Sequence, residues 1–332
     1  MSSLIKFFAL PQRSSNFRFI VDTNFIKVGT TDGSELNNQF ILPVTSGNFT
    51  LSVSDGRPSV IVNNLNLNTY KTISLSPGVH TITLTGSADV RFDLVSPDHL
   101  KITSTLEFGF GFRLSQHSFK NCSNMVWSVP YTNFNILARV FNGIKGISDN
   151  IDLNTSLIDR VTDASYIMGG IIEAPRTVFS GFFSSLTTAG NMYRDSNLSR
   201  VDEVQIIAPN LVDISGGFYG TMFRGRIVIK SNSLTNINNL CYGYTNPPSL
   251  GEVDIRRVTN ANTFITQPMS RINTDATLLG WVNNFDWSVI PTVTNKVTFH
   301  FRGSKYSNNP AVISAKTFLE SKGIVFTNLT MA

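Results

Sequence analysis

A chain of 332 residues with only 15% charged side chains and a formal net charge of +5 carries much less charge than an average globular chain, of which about one quarter is charged. Its 41% hydrophobic content, with 25 Phe, is enough to bury a substantial core and excludes a disordered chain. Asn, Ser, Thr and Gly fill the space left by the missing charge, which argues against a helical bundle, a coiled coil or an Ala/Glu/Lys-rich enzyme.

The N-terminal stretch Met1-Ser-Ser-Leu-Ile-Lys-Phe-Phe-Ala-Leu-Pro superficially resembles a secretion signal, but Lys6 and Pro11 interrupt its apolar run. Residues 1–16 therefore read as an arm, and the chain is expected to be used without export or to be released by lysis. From 17 to 100 the pattern is short β segments at short intervals: Phe17–Asp22, Gln39–Leu42, Asn48–Val53, Val60–Leu65, Thr72–Leu75, Val79–Thr85 and Val90–Leu94. Asp32-Gly33, Ser46-Gly47, Asp55-Gly56, Pro77-Gly78 and Gly86-Ser87 supply turns between them. The leading expectation is an antiparallel β-sandwich, with a small barrel as the alternative.

Residues 101–290 show neither amphipathic helix nor regular hairpin and read as a degraded repeat. Similar phrases open at Leu186, Leu211, Leu234 and Val258: Leu-Thr-Thr-Ala-Gly-Asn, Leu-Val-Asp-Ile-Ser-Gly, Leu-Thr-Asn-Ile-Asn-Asn and Val-Thr-Asn-Ala-Asn-Thr. An earlier copy is expected from Leu157. Each phrase precedes a short β-like segment, namely Gly170–Ala174, Glu203–Ala208, Arg226–Lys230 and Glu252–Arg256. One strand per 20–29 residues lies in the range of leucine-rich repeats, whose coils close a core only by stacking.

Residues 291–332 read as a strand–helix–strand cap. Val297, Phe299 and Phe301 alternate with polar neighbours; Asn309 suits an N-cap, Pro310 the first helical turn and Gly323 the stop. Ala311, Ala315, Phe318 and Leu319 are the expected buried face. The fold class is thus mainly β: a sandwich, an irregular leucine-rich-repeat solenoid and a cap that closes its last coil.

Four phrases resemble BspA-like leucine-rich-repeat surface proteins. They are Phe119-Lys-Asn-Cys122-Ser-Asn-Met125, the closing Val297-Thr-Phe-His-Phe-Arg-Gly-Ser-Lys-Tyr306 with its following helix, and the N-terminal Phe19-Ile-Val-Asp-Thr23 and Gln39-Phe-Ile-Leu-Pro43 segments. The resemblance implies a sandwich, repeats and a C-terminal segment, and a role in adhesion with no catalytic residues to transfer. Related modules in bacteriophage structural proteins suit the missing signal better than a cell-envelope member does.

Chemistry-bearing patterns are sparse. His80, His99, His117 and His300 lack metal-ligand spacing, Gly303-Ser304-Lys305 lacks the earlier glycine of a phosphate loop, and no Gly-x-Ser-x-Gly elbow occurs. No cofactor or metal is expected. Asp202/Glu203 and Asp149/Asp152 are the only carboxylate pairs to consider for glycoside cleavage, and they read as turn or solvent-facing groups. No basic run exceeds Arg256-Arg257, so nucleic acid is not an expected partner. No apolar stretch approaches the ~18 residues of a membrane helix. Cys122 and Cys241 read as buried packing residues.

The aromatic stock points instead to recognition. Trp127, Tyr131, Tyr193, Tyr219, Tyr242, Tyr244, Trp281 and Trp287 lie in or beside the repeats, and Tyr193, Tyr219 and Tyr242 follow their repeat leucines at similar distances. They form either an interior ladder or an exposed binding stripe; Tyr193, Tyr219, Tyr242, Tyr244 and Trp281 are the candidate binding residues. The leading expectation is a phage virion fibre, spike or decoration subunit that binds copies of itself, other virion proteins, or a host glycan or protein. The alternatives are a bacterial cell-surface adhesin and a polysaccharide depolymerase.

Overall fold

The computed structural model describes residues 15–25, 38–65, 71–91, 97–109, 111–114, 118–119, 122–127, 146–147, 161–171, 181–244, 247–288 and 297–332. The chain is mainly β, with antiparallel pairing in its N-terminal part and parallel pairing beyond it. Most of the N-terminal arm, Tyr131, His117, Asp149, Asp152 and Leu157 lie outside the described residues.

The elements run in the order β1 (Asn16–Asp22), β2 (Gln39–Ile41), β3 (Val44–Val53), β4 (Val60–Leu65), β5 (Thr72–Ser74) and β6 (Val79–Val90). A 3-10 turn (Pro97–Lys101), β7 (Ile102–Phe108), β8 (Phe112–Leu114), β9 (Val126–Trp127) and β10 (Gly146–Ile147) follow. One sheet is ordered β10-β9-β7-β1-β6-β3-β4, with β8 also on β6. Period-two alternation explains its core: Phe17, Phe19 and Val21 of β1 point inward and are fully buried, beside Ile82 and Leu84 of β6. Burial of each such side chain stabilises the fold by about 1.5–3 kcal/mol.

Two features of this sheet depart from the sequence expectation. Gly86 does not turn the chain, because β6 runs through it at φ +137°. A Cβ there would lie 2.4 Å from the Asn48 carbonyl oxygen, and one on Gly111 would lie 2.0 Å from that of Gly86. The glycines admit close backbone approach between strands. The sheet also continues past residue 100, because β7 pairs with the free side of β1.

β2 and β5 form a separate antiparallel pair, and Phe40 of β2 sets its ring 6.1 Å from that of Phe19. A fully buried ion pair fixes this small sheet to the 3-10 turn. Lys101 Nζ lies 2.7 Å from Asp98 Oδ1 and donates to the Gln39 carbonyl, while Asp98 Oδ2 accepts from the Ile41 N–H at 2.8 Å.

Beyond the sheet the backbone winds in coils that touch their neighbours in register. Asp163, Thr188, Asp213, Asn236 and Asn260 bridge one to the next, all parallel, at spacings of 25, 25, 23 and 24 residues. Each is the third residue of a repeat phrase. The first described copy is therefore Val161-Thr-Asp-Ala-Ser-Tyr, which corrects the expected start at Leu157. The opening residues Val161, Leu186, Leu211, Leu234 and Val258 are all buried. Asp163, Asp213 and Asn236 each accept the backbone N–H two residues on, which bends the coil. Left-handed backbone then recurs at Tyr166, Asn191, Gly216, Asn239 and Thr263, and again at Gly170, Asp195, Gly220 and Gly243.

On another side of the coils, β11 (Gly181–Phe182), β12 (Glu203–Ile207) and β13 (Arg226–Lys230) form a parallel ladder. Glu252–Arg256 was expected to continue it, but only Val253 bridges to Ile229 before the chain turns. Buried hydroxyls tie successive coils together: Ser196 Oγ donates to the Met168 carbonyl, and Thr221 Oγ1 to that of Tyr193 at 2.6 Å.

A helix that the sequence reading did not anticipate closes the last coil. α1 (Arg271–Asn283) starts at Ser270, whose side chain accepts the Asn273 N–H, and buries Thr274, Thr277, Leu278 and Trp281. Two threonines on that buried face disguise its apolar stripe. Gly251 and Gly280 let helix and coil backbones meet, since a Cβ on Gly280 would stand 2.6 Å from the Gly251 Cα. β14 (Val297–Tyr306), α2 (Pro310–Ser321) and β15 (Ile324–Met331) complete the end, the two strands pairing in parallel. Asn309 caps α2 and Pro310 opens it, as the sequence indicates. Its buried face is Val312, Ala315 and Leu319; Ala311 faces solvent, one residue out of phase with the expectation. Phe299 and Phe301 of β14 cover Phe264 of the last coil and Trp281 of α1, with ring centroids 5.1–6.3 Å apart.

Candidate binding surface

The position eight residues after the phrase opening faces outward in three successive coils, where it is Arg194, Tyr219 and Tyr242; its counterpart one coil earlier, Gly169, is buried. The Tyr219 and Tyr242 rings stack with centroids 4.6 Å apart and planes within 7°, and the Arg194 guanidinium sits 4.4 Å above the other face of Tyr219. All three side chains are half-buried. The spacing is that of adjacent β-strands, so the advance of the coils itself places ring upon ring. A cation over an exposed ring contributes about 0.5–1 kcal/mol.

Arg194 is held in place from both sides. Its Nε lies 3.2 Å from Asp195 Oδ2, and it also meets the Tyr166 hydroxyl. Partial desolvation works against the charge, but these two partners outweigh it and raise the guanidinium pKa above its usual value. Asp195 in turn lies over Gly220, where a Cβ would come within 2.3 Å of its Oδ1.

One residue earlier, the side chains point the other way. Met168, Tyr193, Phe218 and Cys241 are all fully buried, and Tyr193 stacks on Phe218 at 5.2 Å. Tyr193 follows its leucine by seven residues, whereas Tyr219 and Tyr242 follow theirs by eight. The interior ladder and the exposed stripe therefore both exist, on adjacent columns. Tyr193 belongs to the core, and burial pushes its hydroxyl pKa well above the usual range.

Tyr244 and Trp281 are likewise core residues, at 2% and 0% exposure, so they offer nothing to a partner. Burial, reinforced by Cys241, raises the Tyr244 pKa. Trp281 spends its indole N–H on the Leu250 carbonyl at 2.8 Å, and Trp287 donates to the carbonyl of Trp281. Of the five residues singled out from sequence, Tyr219 and Tyr242 remain at the surface. Arg194 was missed, although counting eight residues from Leu186 reaches it.

The other chemical candidates have structural partners. Glu203 accepts from Arg226 at 2.8 Å, and Glu252 grips the same guanidinium from the next coil. The Glu252 bond, then that to Glu203, raises the Arg226 pKa; the same contact lowers that of Glu252. His80 is buried with Nε2 2.8 Å from the Ser76 carbonyl oxygen, and His300 Nδ1 lies 2.5 Å from Thr327 Oγ1. Cys122 and Cys241 are free thiols, fully buried, with pKa values raised by desolvation. Among the described residues, no group of three or more His, Cys, Asp or Glu is placed to hold a metal ion, and no helix is long and apolar enough to cross a membrane.

Comparison with known proteins finds no matching family model, no matching curated protein and no matching solved structure.

Proposed function

We propose that this chain is a non-enzymatic structural and adhesion protein of a virion, a bacteriophage fibre, spike or decoration subunit that binds host or neighbouring virion proteins through its coils. The observation that carries this reading is the Arg194–Tyr219–Tyr242 stack. Tyr and Arg dominate the binding energy of interfaces. Here they are preassembled on backbone that neighbouring coils hold in register, so little freedom is lost on docking.

The edge of the N-terminal sheet supports contacts with further copies. β4 reads Val-Ile-Val-Asn-Asn-Leu, without a charge, and leaves Ile61 71% and Val60 44% exposed. Such strands favour pairing with another chain.

The finer architecture belongs to the same proposal. The β2–β5 pair facing the large sheet through Phe40 and Phe19 suits a sandwich. The recurring parallel bridges and buried phrase openings suit a leucine-rich-repeat solenoid with a C-terminal cap. The resemblance to BspA-like proteins gains support from Phe119, Cys122 and Met125, all of which point into the core.

Gold-labelled antibody against the chain, applied to virions and viewed by electron microscopy, tests the location; sedimentation of the purified chain tests assembly. Label on particles and an oligomeric sedimentation coefficient are expected. Tyr219→Ala with Tyr242→Ala should weaken capture of the chain by its particle about tenfold or more, the cost of losing interface anchors. A strict monomer that labels no particle would overturn the proposal.

A further inference from the structure

An open cleft of about 360 Å³ lies where the ends of β12 and β13 meet the chain leaving α1. That volume is at the small end of the range for ligand sites, about 300–1,000 Å³. Ile207, Pro209 and Phe285 give it apolar walls.

One side of the cleft is rigid. Arg256 makes two bonds to Asp254, Nε to Oδ1 at 2.9 Å and a terminal nitrogen to Oδ2 at 2.8 Å, and Asp254 is 3% exposed. The other terminal nitrogen donates to the Asp286 carbonyl at 2.8 Å, and the guanidinium lies 5.4 Å from the Phe285 ring centroid. Arg256 thus clamps the loop after α1 against the last coil. Each of its three nitrogens is committed to one of these bonds, three of its five N–H donors, and it is a positioning residue.

The opposite side is available. Among the described residues, neither the Lys230 ammonium nor the Asn232 amide makes a side-chain bond, and both residues are exposed. Asp286 directs Oδ1 to Ser288, receiving its N–H at 2.9 Å and its hydroxyl at 2.6 Å. That leaves Oδ2 as an acceptor. Asn284 donates from Nδ2 to the Gly251 carbonyl, which leaves its Oδ1 as a second one.

The charges cancel: Lys230 and Arg256 stand against Asp254 and Asp286. A formally charged ligand gains little in such a setting. The exposed set is one flexible donor, a donor–acceptor amide and two fixed acceptors beside an aromatic wall. It matches a ligand with several hydroxyls on its rim and a C–H face, each hydroxyl both donating and accepting.

We propose that this cleft binds one neutral sugar ring of a glycan. Lys230 and Asn232 donate to hydroxyl oxygens, Asp286 and Asn284 accept hydroxyl protons, and Phe285 meets the ring face. The proposal rests on the adhesion reading for its biological sense, but it uses residues separate from the Arg194–Tyr219–Tyr242 stack.

The test is saturation-transfer NMR on the full chain with D-glucose, D-galactose, D-mannose and N-acetyl-D-glucosamine, with D-glucuronate as the charged control. Transfer to at least one neutral sugar is expected. It should fall at least about tenfold in Asn232→Ala/Asp286→Ala, the loss of two polar anchors, with an unchanged circular dichroism spectrum, and persist in Tyr219→Ala. Silence from all four neutral sugars, transfer to glucuronate alone, or equal transfer in the double variant would overturn the cleft assignment. Capture of the chain by particles is read separately, so loss of sugar binding with retained capture refutes this inference and leaves the adhesion reading standing.

Discussion

The N-terminal sheet and the stacked coils bury similar side chains but join them across different distances along the sequence. β1 pairs with residues 79–85 on one side and with residues 102–108 on the other, so its core exists only when remote segments have met. In the coils every bridge joins positions 23–25 residues apart wherever Asp163, Thr188, Asp213, Asn236, Asn260, Cys241 and their partners are compared, and Asn197 meets Met222 in the same way. A stack of that kind gains stability from nearest neighbours, whereas the sheet must close long loops before its contacts form. Damage to the sheet should therefore spread through it, and damage to a coil should stay with that coil and its neighbours.

The buried Lys101–Asp98 pair gives the sharpest way to test the first half of this contrast. Lys101→Met leaves a carboxylate buried beside β2 without its cation, a change that costs about 3–5 kcal/mol. Chemical denaturation should show that loss, and hydrogen exchange should show it shared among β1, β2 and β6. Protection lost only at residues 97–101 would break the comparison.

A smaller effect probes the second half. Thr221→Val keeps the side-chain shape and removes the donor to the Tyr193 carbonyl at 2.6 Å, leaving that carbonyl only the Ser196 N–H at 3.2 Å. The cost is that of one net hydrogen bond, about 0.5–1.5 kcal/mol. Faster hydrogen exchange should appear in the coils holding Tyr193, Thr221 and Tyr244 and leave β1 and β6 untouched. Uniform loss of protection through both regions would show that they unfold as one unit.

The smallest effect comes from acid. Glu252 has its pKa lowered in the folded chain by its bond to Arg226, so it contributes stability that is complete above its unfolded pKa and disappears as pH falls through the folded one. The pair is largely exposed, which limits the contribution to about 0.2–1 kcal/mol. Comparing wild type with Glu252→Gln by thermal melts from pH 7 down to pH 3 should show a gap that narrows below the ordinary carboxylate range. A gap that widens on acidification would reverse the assignment.

Much of this arrangement was legible in the residues, and the failures have physical causes. β13 matches the expected Arg226–Lys230 to the residue, because its apolar centre is flanked by charges at both ends. The capped start of α2 was equally plain from Asn309 and Pro310. α1 was missed because Thr274 and Thr277 bury their methyl groups while their hydroxyls bond back to Ser270 and Asn273, so polar letters stand on a core face. The binding surface was only half legible. A difference of one residue after the repeat leucine sends Tyr193 inward and Tyr219 outward, and hydrophobicity does not distinguish two tyrosines. The cleft lay beyond sequence altogether, since Lys230, Asn232 and Asp286 come from segments joined only by the docking of α1 on the last coil.

Gly251 also has a bearing on size. Coils that repeat the same corners have no natural limit, and a unit of 23–25 residues inserted between two of them would find matching neighbours above and below. Counted back from the bridge at Val253, Gly251 stands where the two preceding strands carry Ile227 and Val204. With no side chain there, the helix settles directly on the backbone and the series ends. The stop is thus written where two bare positions, Gly251 and Gly280, meet. Lineages of this chain that have grown or shrunk should differ in whole units upstream of Gly251 and share everything after it.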